Sequence, residues 1–288
     1  EIISADSMQV YRGMDIGTAK ITKEQMDGVP HHLIDIMDPS DSFHVMAFQQ
    51  KCKEAMEDIY ARHKIPILVG GTGFYIQSVL YDISFTETDT DIEYRQELQK
   101  IAEEQGGYVL HARLAKIDPE AADEIHPNNV KRVIRALEFN HQTGEKISIH
   151  NEQERQKKSP YQFRYYVLSL PREILYDRIN RRVDMMRRDG LVDEVKGLLQ
   201  QGITPNMVSM QGLGYKEIID ALQGSCSFEE AFERIKRETR HFAKRQFTWF
   251  RRERDVTWID KETYENEDAI LQYMIEDLKN AHILPADQ

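Results

Sequence analysis

Three short apolar segments, each ending in polar residues or glycines, constrain the fold of this chain most. Residues 1–7 (EIISADS), 32–36 (HLIDI) and 65–69 (IPILV) are predicted to be buried strands. A stretch with apolar residues at helical spacing separates the second from the third. Strands that alternate with helices over short connections predict an α/β fold with a parallel sheet. Ligands of such sheets bind beyond the carboxyl ends of the strands, where Asp6 and Thr72 lie.

The pattern changes in the middle of the chain, where no segment has the character of a buried strand. Asp91 is a candidate N-cap for a helix that runs to Gln105, and further helical patterns follow it. A strand is predicted again only at residues 165–170. We therefore predict an inserted all-helical domain in an α/β core, with the core formed by residues 1–86 and 162–288 and the insertion by residues 87–161.

Composition excludes several classes of protein. With 40% hydrophobic and 30% charged residues, the chain has the composition of a globular protein and not of a disordered one. No apolar run approaches the roughly 20 residues of a membrane-spanning helix, and no signal peptide is recognisable. We expect a cytoplasmic protein without a membrane partner, and a monomer because no heptad repeat is present. Cys52 and Cys226 lack metal-ligand spacing, which favours reduced structural thiols over a zinc site.

A net charge of −11 is unfavourable for binding to nucleic acid. This value is a sum over the whole chain, however, and the charge is unevenly distributed along it. Residues 234–254 contain nine Lys or Arg and two Glu, in a long helix predicted to begin at a capping box at Ser227. Arg237, Lys244 and Arg251 recur every seven residues and are expected to share one face. A solvated helix face and an anionic partner both explain this pattern. The predicted apolar stripe of the helix is Phe228, Phe232, Ile235, Phe242 and Trp249.

Five sequence blocks resemble the tRNA dimethylallyltransferases, also called tRNA isopentenyltransferases. They are residues 4–20 (SADSMQVYRGMDIGTAK), 68–75 (LVGGTGFY), 126–135 (HPNNVKRVIR), 212–215 (GLGY) and 239–251 (TRHFAKRQFTWFR). One block would be a weak match, whereas five in family order are specific. The resemblance implies a P-loop NTPase-like parallel-sheet core. It also implies transfer of a dimethylallyl group from dimethylallyl diphosphate to N6 of adenosine-37, directly 3′ of the anticodon, in tRNAs that read codons beginning with U.

This reaction needs a proton acceptor and groups that neutralise a leaving diphosphate. The adenine amine is a poor nucleophile, and a carboxylate that is hydrogen-bonded to it can take its proton as the new bond forms. Asp6 suits that role, although a strand-end Asp also serves as a helix or turn cap, and Thr72 can bond the same amine or the diphosphate. Arg178 and Arg182 share one face of a helix predicted to end at Gly190, and the resemblance implies diphosphate contact for them. A pair of solvated arginines is the alternative.

The resemblance also implies which residues contact the tRNA anticodon stem-loop. They are Asp6, Ser7, Met8, Gln9, Thr72, Arg95, Lys131, Arg132, Arg135, Gly212, Gly214, Tyr215, Lys244, Arg245, Gln246 and Arg251. Lys and Arg bind phosphates, and aromatic rings stack on unpaired bases. Trp249 is expected in the core because it falls on the apolar stripe. Mg²⁺ is the implied cofactor, with Ser7 or Asp6 as its candidate ligand, directly or through water.

One family feature does not occur in these residues. The family opens with a strand and a Gly-x-x-x-x-Gly-Lys-Ser/Thr loop, whose backbone amides and lysine hold the diphosphate. No such motif occurs in residues 1–288, and residue 1 corresponds to the family's second strand. We expect roughly 30 residues with this phosphate loop to precede the sequence. We also expect residues 1–288 alone to be a poor catalyst.

Two other functions stay open at this point. An isopentenyltransferase or kinase acting on free adenine nucleotides can use the same scaffold, and a non-catalytic RNA-binding protein can use the same basic helix. The helical insertion and the basic helix favour RNA, because a free nucleotide needs no extended surface. A binding protein gives no reason for Asp6 and Thr72 to lie at the ends of parallel strands.

Overall fold

The computed structural model describes residues 1–85 and 91–285. The chain divides into two compact units, one formed by Glu1–Leu80 with Tyr161–Gln288 and the other by Tyr81–Pro160. The predicted boundary at 86/87 lies outside the described residues, and the second unit begins six residues earlier, at Tyr81. The predicted boundary at 161/162 differs by one residue from the end of the second unit.

The first unit contains a small parallel sheet with the strand order β2-β1-β3. Its strands are β1 (Ile2–Ser4), β2 (His31–His32) and β3 (Ile67–Val69). In the central strand, Ile3 pairs with His32 on one side and with Leu68 on the other, and its side chain is fully buried. This arrangement confirms the α/β class and the parallel sheet. The P-loop NTPase-like character of the core stays a prediction.

The second strand is shorter than predicted, because it ends at His32 and does not extend to Ile36. Leu33 and Asp35 have φ angles of 62° and 55°, in the left-handed region that interrupts an extended strand. The chain turns there, and the Ile36 N–H donates to the Val10 carbonyl at 2.9 Å. The apolar run at residues 32–36 therefore marks a turn beside the sheet, in which Leu33 is buried and Asp35 is exposed.

Two further strands pair in the first unit, β4 (Tyr165–Ser169) and β5 (Val256–Asp260). They are parallel, with Tyr165 opposite Val256 and Ser169 opposite Asp260. The strand at residues 165–170 was predicted, whereas β5 was missed. The segment VTWID carries β-branched and aromatic residues typical of strands, but it is short and directly follows the basic helix.

Helices make up most of the described chain. In the first unit they are α1 (Val45–Ala61), α2 (Gly73–Leu80), α8 (Arg172–Asp189), α9 (Leu191–Gln200), α10 (Tyr215–Leu222), α11 (Phe228–Phe250) and α12 (Glu267–Asn280). In the second they are α3 (Ile92–Gln105), α4 (Gly107–Ile117), α5 (Pro119–Glu124), α6 (Val130–Thr143) and α7 (Ile147–Gln156). The described part of the second unit contains no strand. None of the described helices is long and apolar enough to cross a membrane.

Local signals placed several helix ends correctly. Asp91 caps α3, with its carboxylate accepting from the Tyr94 N–H at 2.9 Å. Ser227 and Glu230 form the predicted capping box of α11, and Gly190 ends α8 in the left-handed conformation. Each unit has its own apolar core. The first is built around β1, α1, α10 and α11, and the second joins α3, α4 and α6.

The apolar stripe predicted for α11 is only partly buried. Phe232 and Ile235 lie in the core, whereas Phe242 and Trp249 are 40% and 37% exposed and Phe228 is similarly exposed. Phe228, Ile235, Phe242 and Trp249 are spaced by seven residues, and an α-helix drifts by about 20° per seven residues. Over three such steps the stripe leaves the core face. The core face is then completed by Ala231, Ala243 and Phe250.

Candidate active site

The ends of β1 and β3 bring the two candidate catalytic segments together. The Ala5 N–H donates to the Val69 carbonyl at 2.8 Å, and the Thr72 N–H donates to the Ala5 carbonyl at 3.3 Å. Gly70 permits this approach, because a Cβ atom there would collide with the Ala5 carbonyl. Asp6, directly after Ala5, and Thr72, two residues after Gly70, therefore share one edge of the sheet.

Asp6 caps the turn that follows β1. Its Oδ1 accepts from the N–H groups of Met8 at 2.7 Å and Gln9 at 3.2 Å. The turn-capping role considered for a strand-end Asp is thus present in the structure. Both of these hydrogen bonds end on Oδ1, and the side chain is only half-buried. Oδ2 can therefore accept a hydrogen bond from a ligand while Oδ1 holds the turn.

Two residues of α11 contact the glycine loop that follows β3. Gln246 donates from Nε2 to the Gly71 carbonyl at 2.9 Å. One turn later Trp249 lies directly over Gly73 and meets Phe74 edge to face, with 6.1 Å between ring centroids. The prediction that Trp249 belongs to the core is wrong, because its ring is 37% exposed and lies against Gly73 and Phe74.

Arg178 and Arg182 are both exposed on α8. Within residues 1–85 and 91–285, neither guanidinium is hydrogen-bonded or ion-paired, whereas the neighbouring Arg181 pairs with Asp177 at 2.5 Å. The two predicted diphosphate ligands are therefore available to an anion, whereas Arg181 between them is already neutralised.

The positive charge of α11 is neutralised along its first half. Arg234 pairs with Asp220 at 3.0 Å, Lys236 with Asp184 at 2.8 Å, and Arg237 with the adjacent Glu238 at 3.1 Å. The predicted seven-residue row of Arg237, Lys244 and Arg251 is thus not uniform, because its first member already has an acidic neighbour.

The second half of α11 keeps its charge. Lys244 on α11 is exposed, as are Arg251 and Arg252 directly after its last residue, and none of the three makes an ion pair with any described residue. Arg245 lies over the ring of Phe242, with 5.6 Å to the ring centroid. The free cations are therefore at the same end of the helix as Gln246, which contacts the glycine loop.

The predicted tRNA residues of the second unit fall into two groups. Lys131, Arg132 and Arg135 are exposed on α6 and have no acidic partner among the described residues. Arg95 instead forms two parallel hydrogen bonds, from Nε and Nη2 to the Glu138 carboxylate at 2.5 and 2.6 Å. Glu138 is 1% exposed, so the Arg95 guanidinium neutralises a buried charge. The guanidinium predicted to contact RNA is thus already engaged inside the unit.

Comparison with known protein families identifies the family to which this chain belongs. The model of the IPP transferase family matches residues 9–253. The chain belongs to this family. The match begins three residues after Asp6 and covers the glycine loop with Thr72, the arginines of α8 and the cations of α6 and α11.

Individual members are similar over nearly the whole chain. The tRNA dimethylallyltransferase of Lachnoclostridium phytofermentans is 56% identical over 284 residues, which are 99% of this chain and 91% of that protein. That of Bacillus cereus (strain B4264) is 50% identical over 274 residues, or 95% of this chain and 86% of the relative.

Solved structures of the family have the same fold. The full-length tRNA isopentenylpyrophosphate transferase of Bacillus halodurans is 47% identical, with a TM-score of 0.70 over 98% of this chain and 89% of that one. A eukaryotic dimethylallyltransferase acting on tRNA is 30% identical, with a TM-score of 0.79 over 100% of this chain and 74% of the other.

The Gly-Leu-Gly-Tyr block of this IPP transferase lies mostly inside the protein. Tyr215 is fully buried, and its hydroxyl donates to Glu194 Oε1 at 2.7 Å. Burial, followed by the negative charge of Glu194, raises the pKa of the Tyr215 phenol. The Tyr215 ring therefore lies inside the protein, and the predicted RNA contact at this position stays a prediction. Gly212 lies against the Met8 side chain, and the Gly214 N–H donates to Glu217 at 2.9 Å.

Sequence reasoning missed three structural residues, Glu194 and Tyr75 in the first unit and Glu138 in the second. Glu194 and Glu138 each lie in a helical segment where nothing distinguishes them from solvated acids. Tyr75 is buried next to the glycine loop, and its pKa is raised to about 12, first by burial and then by the charges of Tyr11 and Asp6. Its hydroxyl therefore stays protonated at neutral pH.

A magnesium ion would find few ligands here. Among the described residues, no group of three or more His, Cys, Asp or Glu is arranged to hold a metal. Mg²⁺ commonly keeps several waters and takes only one or two protein oxygens together with substrate phosphates. The Asp6 carboxylate and the adjacent Ser7 hydroxyl fit that limited donor set.

Proposed function

We propose that this protein transfers the dimethylallyl group of dimethylallyl diphosphate to N6 of adenosine-37 in tRNAs that read codons beginning with U, releasing diphosphate. The observation that carries this proposal is the convergence of Asp6 and Thr72 at one sheet edge, in a member of the IPP transferase family. Relatives with 50% and 56% identity are named tRNA dimethylallyltransferases.

The residues of the sheet edge supply the acceptor chemistry. Oδ2 of Asp6 accepts the N6 proton as the carbon–nitrogen bond forms, while Oδ1 keeps the turn in place. The Thr72 hydroxyl orients the amine. Arg178 and Arg182 neutralise the diphosphate as its carbon–oxygen bond breaks. The target base must leave its stack to reach Asp6, at a cost of a few kcal/mol.

The proposal also includes the cofactor, the fold of the core, the RNA partner and the oligomeric state and location of the protein. Mg²⁺ held by Ser7 or Asp6, directly or through water, would add positive charge at the diphosphate when bound. The parallel sheet, with its candidate ligands at the carboxyl ends of the strands, is consistent with a P-loop NTPase-like core. The anticodon stem-loop is the proposed partner, and a cytoplasmic monomer is the proposed state.

A single assay separates this function from its alternatives. The full-length protein is incubated with dimethylallyl diphosphate and either unmodified tRNA or AMP. The masses of the products are then measured by mass spectrometry. We expect a five-carbon mass increase in tRNA alone. An increase in AMP would identify an enzyme of free nucleotides, and no increase in either would indicate a binding protein.

Replacing Arg178 and Arg182 together by Ala is expected to weaken binding of dimethylallyl diphosphate by more than about tenfold. Each hydrogen bond to a charged group is worth about 1.5–3 kcal/mol. Calorimetric titration of the full-length protein measures the change. Arg181→Ala is the matched control, because Arg181 already pairs with Asp177. A loss of tRNA affinity with unchanged diphosphate binding would assign the two arginines to the RNA surface.

Removing Lys244 and Arg251 is expected to flatten the salt dependence of tRNA binding. Each lost phosphate contact lowers the slope of log K against log salt concentration by about 0.7–0.9. Arg237→Ala is the control and should change the slope less, because Glu238 already neutralises Arg237. Charge reversal of Lys131 should act additively. Titrations at several salt concentrations test this, and parallel lines for all variants would exclude RNA from this helix.

A further inference from the structure

Four hydrogen bonds converge on the carboxylate of Glu194, on α9. Oε2 accepts from the N–H groups of Asp15 at 2.9 Å and Ile16 at 2.7 Å. Oε1 accepts from the Gly17 N–H at 3.1 Å and from the Tyr215 hydroxyl at 2.7 Å. Three successive backbone N–H groups form a concave anion site, and in this protein the chain's own carboxylate fills it. Glu194 thereby fixes a loop that precedes it by almost 180 residues.

The same loop is wedged against the core by the buried phenol ring. A Cβ atom on Gly17 would lie 2.6 Å from the Tyr215 ring, so the loop backbone rests directly on it. Glu194 and Tyr215 thus bracket the loop at residues 13–20, one by hydrogen bonds and the other by packing.

The bracketed loop is tied to the segment that carries Asp6. Gln9 donates from Nε2 to the Thr18 carbonyl at 3.3 Å and accepts at Oε1 from the Ser4 hydroxyl at 3.3 Å. Gln9 also donates its backbone N–H to Asp6 Oδ1 at 3.2 Å. Gln9 therefore contacts both the loop and the candidate proton acceptor.

Lys20, the last residue of the loop at residues 13–20, also fixes the position of this segment. Its Nζ donates to the Tyr11 carbonyl at 2.7 Å and pairs with Asp15 at 2.6 Å and Asp35 at 2.5 Å. The side chain is only 4% exposed, so it acts inside the protein. The loop cannot shift without carrying the Gln9–Tyr11 backbone along.

We propose that Glu194 is a positioning residue for the acceptor half of the reaction. It fixes residues 15–17, the loop fixes Gln9, and Gln9 with Met8 aims the Asp6 carboxylate at the adenine amine. This inference rests on the proposed dimethylallyl transfer to tRNA. Misplacing a reacting group by about 1 Å costs on the order of 100-fold in rate. Loss of the bracket therefore slows the chemical step without removing a substrate contact.

The test compares Glu194→Gln with the wild-type full-length protein at saturating tRNA and dimethylallyl diphosphate, well below the melting temperature of each. A Gln amide presents an N–H where the loop also presents N–H groups, so part of the bracket is lost. We expect kcat to fall about 10- to 100-fold, with KM for both substrates within threefold. Glu230→Gln, which weakens only the capping box of α11, should lower the melting temperature and leave kcat unchanged.

A second variant covers the case in which Glu194→Gln does not fold. Gly17→Ala disturbs the bracket by steric contact with Tyr215 and keeps the carboxylate. It should show the same kcat-selective loss. A kcat within threefold of wild type in either folded variant overturns the proposal, as does a loss confined to KM for tRNA. If the wild-type protein modifies no tRNA, the proposed function fails first, and that outcome is distinguishable.

Discussion

Asp6→Asn in the full-length protein is expected to lower the turnover number for tRNA about 10²- to 10⁴-fold, the range that a positioned general base contributes. Asn keeps an acceptor oxygen for the Met8 and Gln9 N–H groups, so the turn after β1 should persist. The affinity for tRNA should stay within about threefold, because proton acceptance matters mainly in the transition state. Single-turnover kinetics with a filter-binding titration measure both quantities.

Comparison with Asp6→Ala separates the two roles of the side chain. Ala removes the base and the cap together, and loss of a cap costs about 1 kcal/mol, so Ala should also lower the melting temperature. The two variants should be equally slow if proton acceptance dominates. An Asn variant within tenfold of wild type, beside a slow Ala variant, would leave Asp6 only the capping role.

Arg95→Ala is expected to destabilise the protein by about 3 kcal/mol, through the buried Glu138 carboxylate that it leaves unpaired. This value is the lower end for buried pairs, because Arg95 itself is 42% exposed. Urea unfolding followed by circular dichroism measures the change in the free energy of unfolding. Replacing Glu138 by Leu as well should recover part of the loss, since no buried charge then remains.

Arg135→Ala is the matched control for this experiment. Arg135 lies on α6 like Glu138, but it is exposed and has no acidic partner among the described residues. Its removal should change the free energy of unfolding by less than about 0.5 kcal/mol and weaken tRNA binding. The opposite pattern, with Arg95→Ala fully stable and poor at binding tRNA, would show that the Arg95–Glu138 pair opens and that Arg95 contacts RNA.

The parts of this protein that the sequence determined are those set by neighbours in the chain. The Asp91 cap, the Ser227 capping box and the Gly190 helix end each depend on residues within one helical turn, so their signals can be seen in the sequence. The strand ends with Asp6 and Thr72 were also predicted, because a parallel sheet gathers the carboxyl ends of its strands on one edge.

Only the tertiary structure decided which charged groups remain unpaired and which aromatic rings remain exposed. Arg95 and Lys131 look alike in the sequence, yet a buried acid 43 residues away engages only Arg95. Tyr215 and Trp249 both belong to family blocks, and packing buries the first and leaves the second partly exposed. Glu194 carries no sequence signal, because the N–H groups that it accepts from lie 177 to 179 residues earlier. Charge neutralisation and burial depend on neighbours in space, and these contacts bring together residues that are far apart in the chain.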